Sequence, residues 1–160
     1  MAQSTNTRIN ANTNGKPHHI PNGLRGLIPQ LVVPDARRAI EFIEKAFGAR
    51  SEHPPMLSPD GKNVMHAFVR LGDEAIFLSD APGFAKPTTT NLFLYVQDVD
   101  AVYEKAIAAG AKAVMPVQTM FWGDRWGLVE DPFGNQWQIA THVEDVSPEQ
   151  MTERMQGMQK

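Results

Sequence analysis

The apolar positions of this chain form short alternating runs and two stretches of helical period, and they do so twice in the same order. Leu24 to Val33 predicts a strand that ends in Leu31-Val32-Val33 and stops at Pro34-Asp35. Behind it Ala36, Ala39, Ile40, Ile43, Ala46 and Phe47 recur at helical spacing, with Arg37, Arg38, Glu41, Glu44 and Lys45 on the opposite side. Asp35 stands where a carboxylate accepts from the free N–H groups of a first turn, and Gly48 where the chain must leave the helix. Ser51 to Met56 predicts a short strand limited by its prolines, and Ser58-Pro59-Asp60-Gly61 a turn. Asn63 to Leu71 and Glu74 to Ser79 flank Gly72-Asp73 as a hairpin.

The same grammar then restarts. Asn91 to Val96 predicts a strand, Asp98 a cap, and Val99, Val102, Tyr103, Ala106 and Ile107 a helix closed by Gly110. A strand around Lys112 to Val117 follows, then the loop Phe121-Trp122-Gly123-Asp124. Trp126 to Glu130 and Gln136 to Thr141 make a hairpin across Asp131-Pro132-Phe133-Gly134. Val33-x-Asp35 with Gly48-Ala49 matches Val96-x-Asp98 with Gly110-Ala111 at spacings that differ by one residue. Two βαβββ modules, about 24–80 and 91–143, make an internal duplication and an α+β domain over 24–143.

Composition bounds what such a domain does. With 42% hydrophobic residues in 160, the chain has enough apolar surface for one ordinary core. A net charge of −3 lacks the dense basic face of a nucleic-acid binder. The absence of cysteine rules out disulfides, thiolate nucleophiles and cysteine-based zinc sites. No apolar run approaches a membrane span, and residues 1–23 carry no signal-like apolar core, so the expected location is cytoplasmic, with no membrane and no nucleic-acid partner. Residues 1–23, including the His18-His19 pair, are expected to form a disordered extension. Ser147-Pro148-Glu149-Gln150 predicts a capped helix within the tail 144–160, its Met151, Met155 and Met158 covering a neighbouring surface.

Val-x-Asp before each helix, Trp122-Gly123-Asp124-Arg125-Trp126-Gly127, and the run from Asp131-Pro132-Phe133-Gly134 to His142 resemble the glyoxalase/bleomycin-resistance/dioxygenase (vicinal oxygen chelate) superfamily. The likeness is to a bacterial glyoxalase-like branch, some of whose members carry a demethylubiquinone-methyltransferase label. It implies that each module curves into a half-barrel, that paired modules form a cavity, and that dimers share or exchange modules. It also implies a divalent metal held by His, Gln or Glu at four inward-facing strand positions. Transferred onto this sequence, those positions fall on Ile28, Phe77, Asn91 and Gln138. Two hydrocarbons and two neutral amides are a poor donor set where a catalytic cation wants about three ligands, so no metal cofactor is expected. A site relocated around His66, using Gln30, Asn91, Gln138 or Glu130, is the alternative.

Strand alternation assigns Met65, Ala67, Val69 and Leu71 to the helix-facing side and Val64, His66, Phe68 and Arg70 to the other. Leu92, Leu94 and Val96 likewise face the helices, leaving Asn91, Phe93 and Tyr95 opposite. The second faces mix aromatic and polar groups, as the wall of a small-molecule pocket does. Gln30, His66, Phe77, Asn91, Tyr95, Trp122, Trp126 and Gln138 are the candidate ligand-binding residues. The expected function is binding of a small, partly aromatic molecule by a homodimer. The alternative is a metal-dependent lyase, isomerase or dioxygenase centred on His66, and a purely structural pairing module is disfavoured by the polar groups on these faces.

Overall fold

A computed structural model describes residues 19–83 and 86–157. Most of the extension expected over 1–23, His18 among it, lies outside them, as does Met158. The first module runs β1 (Gln30–Val33), α1 (Ala36–Phe47), β2 (Arg50–Ser51), β3 (Met56–Leu57), β4 (Val64–Leu71) and β5 (Glu74–Asp80). The second runs β6 (Asn91–Tyr95), α2 (Val99–Ala108), β7 (Lys112–Thr119), β8 (Asp124–Glu130) and β9 (Gln136–His142), and α3 (Pro148–Gly157) closes the chain.

Each module builds one sheet of the same design. The orders are β1-β5-β4-β2 and β6-β9-β8-β7, with the first and last strands of each module parallel and the rest antiparallel. The strand expected over Ser51 to Met56 is broken instead. Arg50–Ser51 and Met56–Leu57 pair with opposite ends of β4, because Pro54 and Pro55 between them supply no ladder N–H. The register confirms the duplication, since Gln30 opposes Phe77 in the first sheet as Phe93 opposes Gln138 in the second.

Both helices begin and end as their sequences require. Asp35 accepts from the Arg38 N–H and Asp98 from the Ala101 N–H, while Gly48 leaves α1 in the left-handed conformation with its N–H on the Glu44 carbonyl. Asp80 at the end of β5 joins two elements: its carboxylate accepts from Ala36 N–H at 2.7 Å and from Val64 N–H at 2.6 Å.

The helices pack on each other and each covers one face of its own sheet. Ile43, Val69 and Leu78 from the first module and Val99, Val129 and Ile139 from the second share one continuous core. Phe47 lies against Trp137 at 4.4 Å between ring centres, tying the modules together, and the Trp137 indole N–H donates to buried Asp131. The helices thus occupy the middle, and the second face of each sheet points away from them.

Two expectations need correction. β1 begins at Gln30 rather than Leu24, which leaves Ile28 ahead of the strand. Val64 is fully buried while Met65 is 56% exposed, the reverse of the alternation read from sequence. Met56 opposes His66 but Leu57 opposes Val64, so Met65 is an extra residue in β4, and such a bulge inverts the facing of everything before it.

Candidate functional site

Directly paired residues share a face, so the registers list what each outward face presents. On the first sheet it carries Gln30, Phe77 and Phe68 in one row, with His66 next to Phe68's side of that row. The His66 imidazole meets the Phe77 ring edge-on at 4.6 Å, Phe68 meets it at 5.8 Å, and the Arg70 guanidinium lies 4.9 Å over Phe68. Arg70 in turn bonds Glu52 and the Gly23 carbonyl.

On the second sheet the rows are Asn91, Gln136 and Glu130; then Phe93, Gln138 and Leu128; then Tyr95, Ala140 and Trp126; then His142 with Asp124. Phe93 and Tyr95 are 48% and 60% exposed, and their rings sit 5.0 Å apart. Large apolar rings left open to water in neighbouring positions mark a contact surface.

Asp124 organises one end of this face. Only 2% exposed, its carboxylate accepts from the Tyr95 hydroxyl at 2.9 Å and the Trp122 indole at 3.0 Å, and pairs with His142 Nδ1 at 2.8 Å. His142 Nε2 meets Asp145 at 3.0 Å. Burial alone pushes the Asp124 carboxyl up, but the hydrogen bonds from His142, Tyr95 and Trp122 outweigh it and hold the group below its ordinary value. The imidazole is raised by Asp145 and then by Asp124, and the Tyr95 hydroxyl is raised by its bond to the same carboxylate. Gly123 makes this corner possible: at φ +99° its carbonyl accepts from Val143 and Glu144, and a Cβ there would collide with the Glu144 carbonyl. Arg154 of α3 clasps Glu144 through two bonds and touches the Phe121 carbonyl, so the tail helix is fastened to the same loop.

Of the residues expected from sequence, the structure brings Gln30, His66 and Phe77 together on one sheet and Asn91, Tyr95, Trp126 and Gln138 on the other, with Trp122 in the loop before β8. Trp126 is 8% exposed, and its indole N–H finds no hydrogen-bond partner among the described residues. Asp124, expected as the last residue of the loop Phe121-Trp122-Gly123-Asp124, begins β8 instead. Glu130 and Gln138 share a face, whereas His66 lies on the other sheet, beyond the helical core. One open cleft of 530 Å³ takes in Gln30, Asn63 and Asp80, and another of 550 Å³ takes in Tyr95, Leu71 and Lys105. Asp124 and His142 were not singled out from sequence. The signal was present in Trp-Gly-Asp and the closing Thr-His, but only the register of β8 against β9 sets the two side by side.

The fold and these faces define a class: two βαβββ modules, each displaying a polar and aromatic sheet surface. The chain belongs to the Glyoxalase/Bleomycin resistance protein/Dioxygenase superfamily, whose model matches residues 16–139. It is 36% identical over 140 residues to the uncharacterized protein Rv0887c of Mycobacterium tuberculosis, covering 81% of each chain. Among solved structures, it is similar to TioX from Micromonospora sp. ML1, with a TM-score of 0.61, 26% identity, and 74% of this chain and 99% of that one covered. A glyoxalase-related enzyme from Fulvimarina pelagi shares the fold at a TM-score of 0.59 and 19% identity, over 73% of this chain and 87% of that one.

The donor set at the superfamily's metal positions does not fit a divalent cation. Ile28 stands outside the strand, the Phe77 ring is packed between His66 and Phe68, and Asn91 and Gln138 offer neutral amides. Gln30 and His66 share a face, but the Phe77 ring lies between their strands.

Proposed function

We propose that the chain binds a small, partly aromatic molecule between its polar and aromatic sheet faces, without the superfamily's usual metal, in a cavity closed by a second copy. The observation that carries this reading is the pair of open rings, Phe93 and Tyr95, beside a buried carboxylate that already orders Tyr95, Trp122 and His142. Rings supply stacking area and the amides of Asn91 and Gln138 supply oriented hydrogen bonds, which is how a pocket holds a flat ligand. Within one chain the two faces look away from the shared core, so the opposing wall comes from a partner. A panel of flat aromatic compounds tests it by tryptophan quenching and thermal shift. A binder raises Tm with its concentration, and Trp122→Phe removes part of the quenching. If no compound quenches or stabilises, the binding reading fails. Stoichiometric divalent metal in the purified protein, lost on His66→Ala, would replace it with a metal-dependent enzyme.

A further inference from the structure

We propose that His142 anchors the acidic group of that ligand, with Asp145 occupying the position until the ligand displaces it, so that the molecule bound is an aromatic carboxylic acid. The inference rests on the aromatic binding reading above and adds to it the chemistry of the ligand.

One carboxylate sets the geometry. Tyr95 bonds one oxygen of Asp124 and His142 Nδ1 the other, at 2.9 and 2.8 Å, so the imidazole and the open phenol ring are fixed as neighbours. With Nδ1 committed to a buried acceptor, the ring is held in one orientation and Nε2 turns outward. The His142 side chain is 51% exposed at the end of β9. A flat ring lying over Phe93 and Tyr95 therefore carries a substituent on its edge to Nε2.

What meets Nε2 in the structure is a carboxylate already. Asp145 reaches it at 3.0 Å from a side chain that is fully exposed, with no other hydrogen bond to that side chain among the described residues. An ion pair this exposed is weak and exchanges readily for another carboxylate. A ligand acid backed by ring stacking has the advantage over it, because stacking adds burial that Asp145 lacks. The charged groups around the imidazole are Asp124 from β8 and Asp145 from the following loop. Tyr95 of β6 bonds the same Asp124 carboxylate, and neighbouring Glu144 is engaged by Arg154 of α3. Both carboxylates, Asp145 first and then Asp124, favour the imidazolium and raise its titration from the ordinary histidine value.

Naphthoate and its neutral amide, naphthamide, test the proposal by calorimetry at about pH 6, below the ordinary histidine value. Naphthoate is expected to bind ~10-fold more tightly than naphthamide, the worth of one charge-assisted hydrogen bond. Its affinity should fall as pH rises through the His142 titration while that of naphthamide stays flat. In His142→Asn the side-chain amide keeps a donor on Asp124, and the ratio of naphthoate to naphthamide affinity should fall to about one. Asp145→Ala, at a fully exposed side chain, should tighten naphthoate ~2- to 5-fold by removing the competitor. Equal binding of acid and amide, a preference that survives His142→Asn, or an Asp145→Ala protein with unaltered naphthoate affinity overturns the anchor and leaves the aromatic site standing. Failure of both compounds to bind overturns the anchor, and the binding reading falls with it only if no compound of the aromatic panel binds.

Discussion

Asp124 gathers donors from β6, the loop before β8 and the end of β9, so the stability it contributes depends on its charge and on that of His142. Its carboxyl titrates lower in the folded chain than in the unfolded one, so its contribution is present above the unfolded value, about 3.9, and is lost as pH falls through the lower folded value. His142 has the opposite sign. Its folded value is raised, so its contribution is complete below about 6.5 and disappears as pH climbs through the raised value. Urea denaturation across pH should therefore show a plateau of stability between these limits. His142→Asn should flatten the alkaline side and also weaken the acid side, because His142 is one of the groups holding the Asp124 carboxyl down. Asp124→Ala should remove the Asp124 share of the acid side and cost about 1–3 kcal/mol at neutral pH, because three part-buried hydrogen bonds lose their shared charged acceptor.

At the scale of elements, the carboxylates at the starts of the helices are not equivalent. Asp98 accepts one N–H from its own first turn, and Asp98→Ala should cost about 1 kcal/mol. Asp80 comes from another strand and holds both the first N–H of α1 and the first of β4. Asp80→Ala should cost at least twice as much, because two buried-side donors lose a charged acceptor and the junction of three elements loosens. Comparing denaturation midpoints of the two variants checks the ranking. The elements themselves were legible because their signals are local: Asp35 and Asp98 as caps, Gly48 as a stop, glycine turns between alternating runs. Met65 was not, since nothing in Asn-Val-Met-His-Ala says that one residue is extra until β3 is laid beside β4. The site divided the same way. Tyr95 and Gln138 follow from strand period and family register, whereas the Asp124–His142 pair depends on two strands meeting in one register, a contact that sequence spacing does not encode.

For the molecule as a whole, the helical centre has a consequence for assembly. With α1 and α2 back to back, the aromatic faces look outward, and Phe93 and Tyr95 stand in water although each is large enough to anchor an interface. A shared cavity requires that the first-module face of one copy oppose the second-module face of the other. The reciprocal contact then forms by symmetry, giving two equivalent cavities per pair. A charge at the centre of that contact disrupts both at once. Phe93→Glu should shift the protein from dimer to monomer at micromolar concentration in sedimentation velocity, with at least a ~10-fold loss of self-affinity. Its unfolding midpoint as a monomer should change little, since Phe93 is half-exposed and stands outside the central core. Aromatic-ligand binding should fall in the same variant, which loses one of the two stacking rings as well as the partner. A wild-type chain that sediments as a monomer at every concentration, yet still binds flat aromatic compounds, would place the pocket on a single open face and remove the partner from the mechanism.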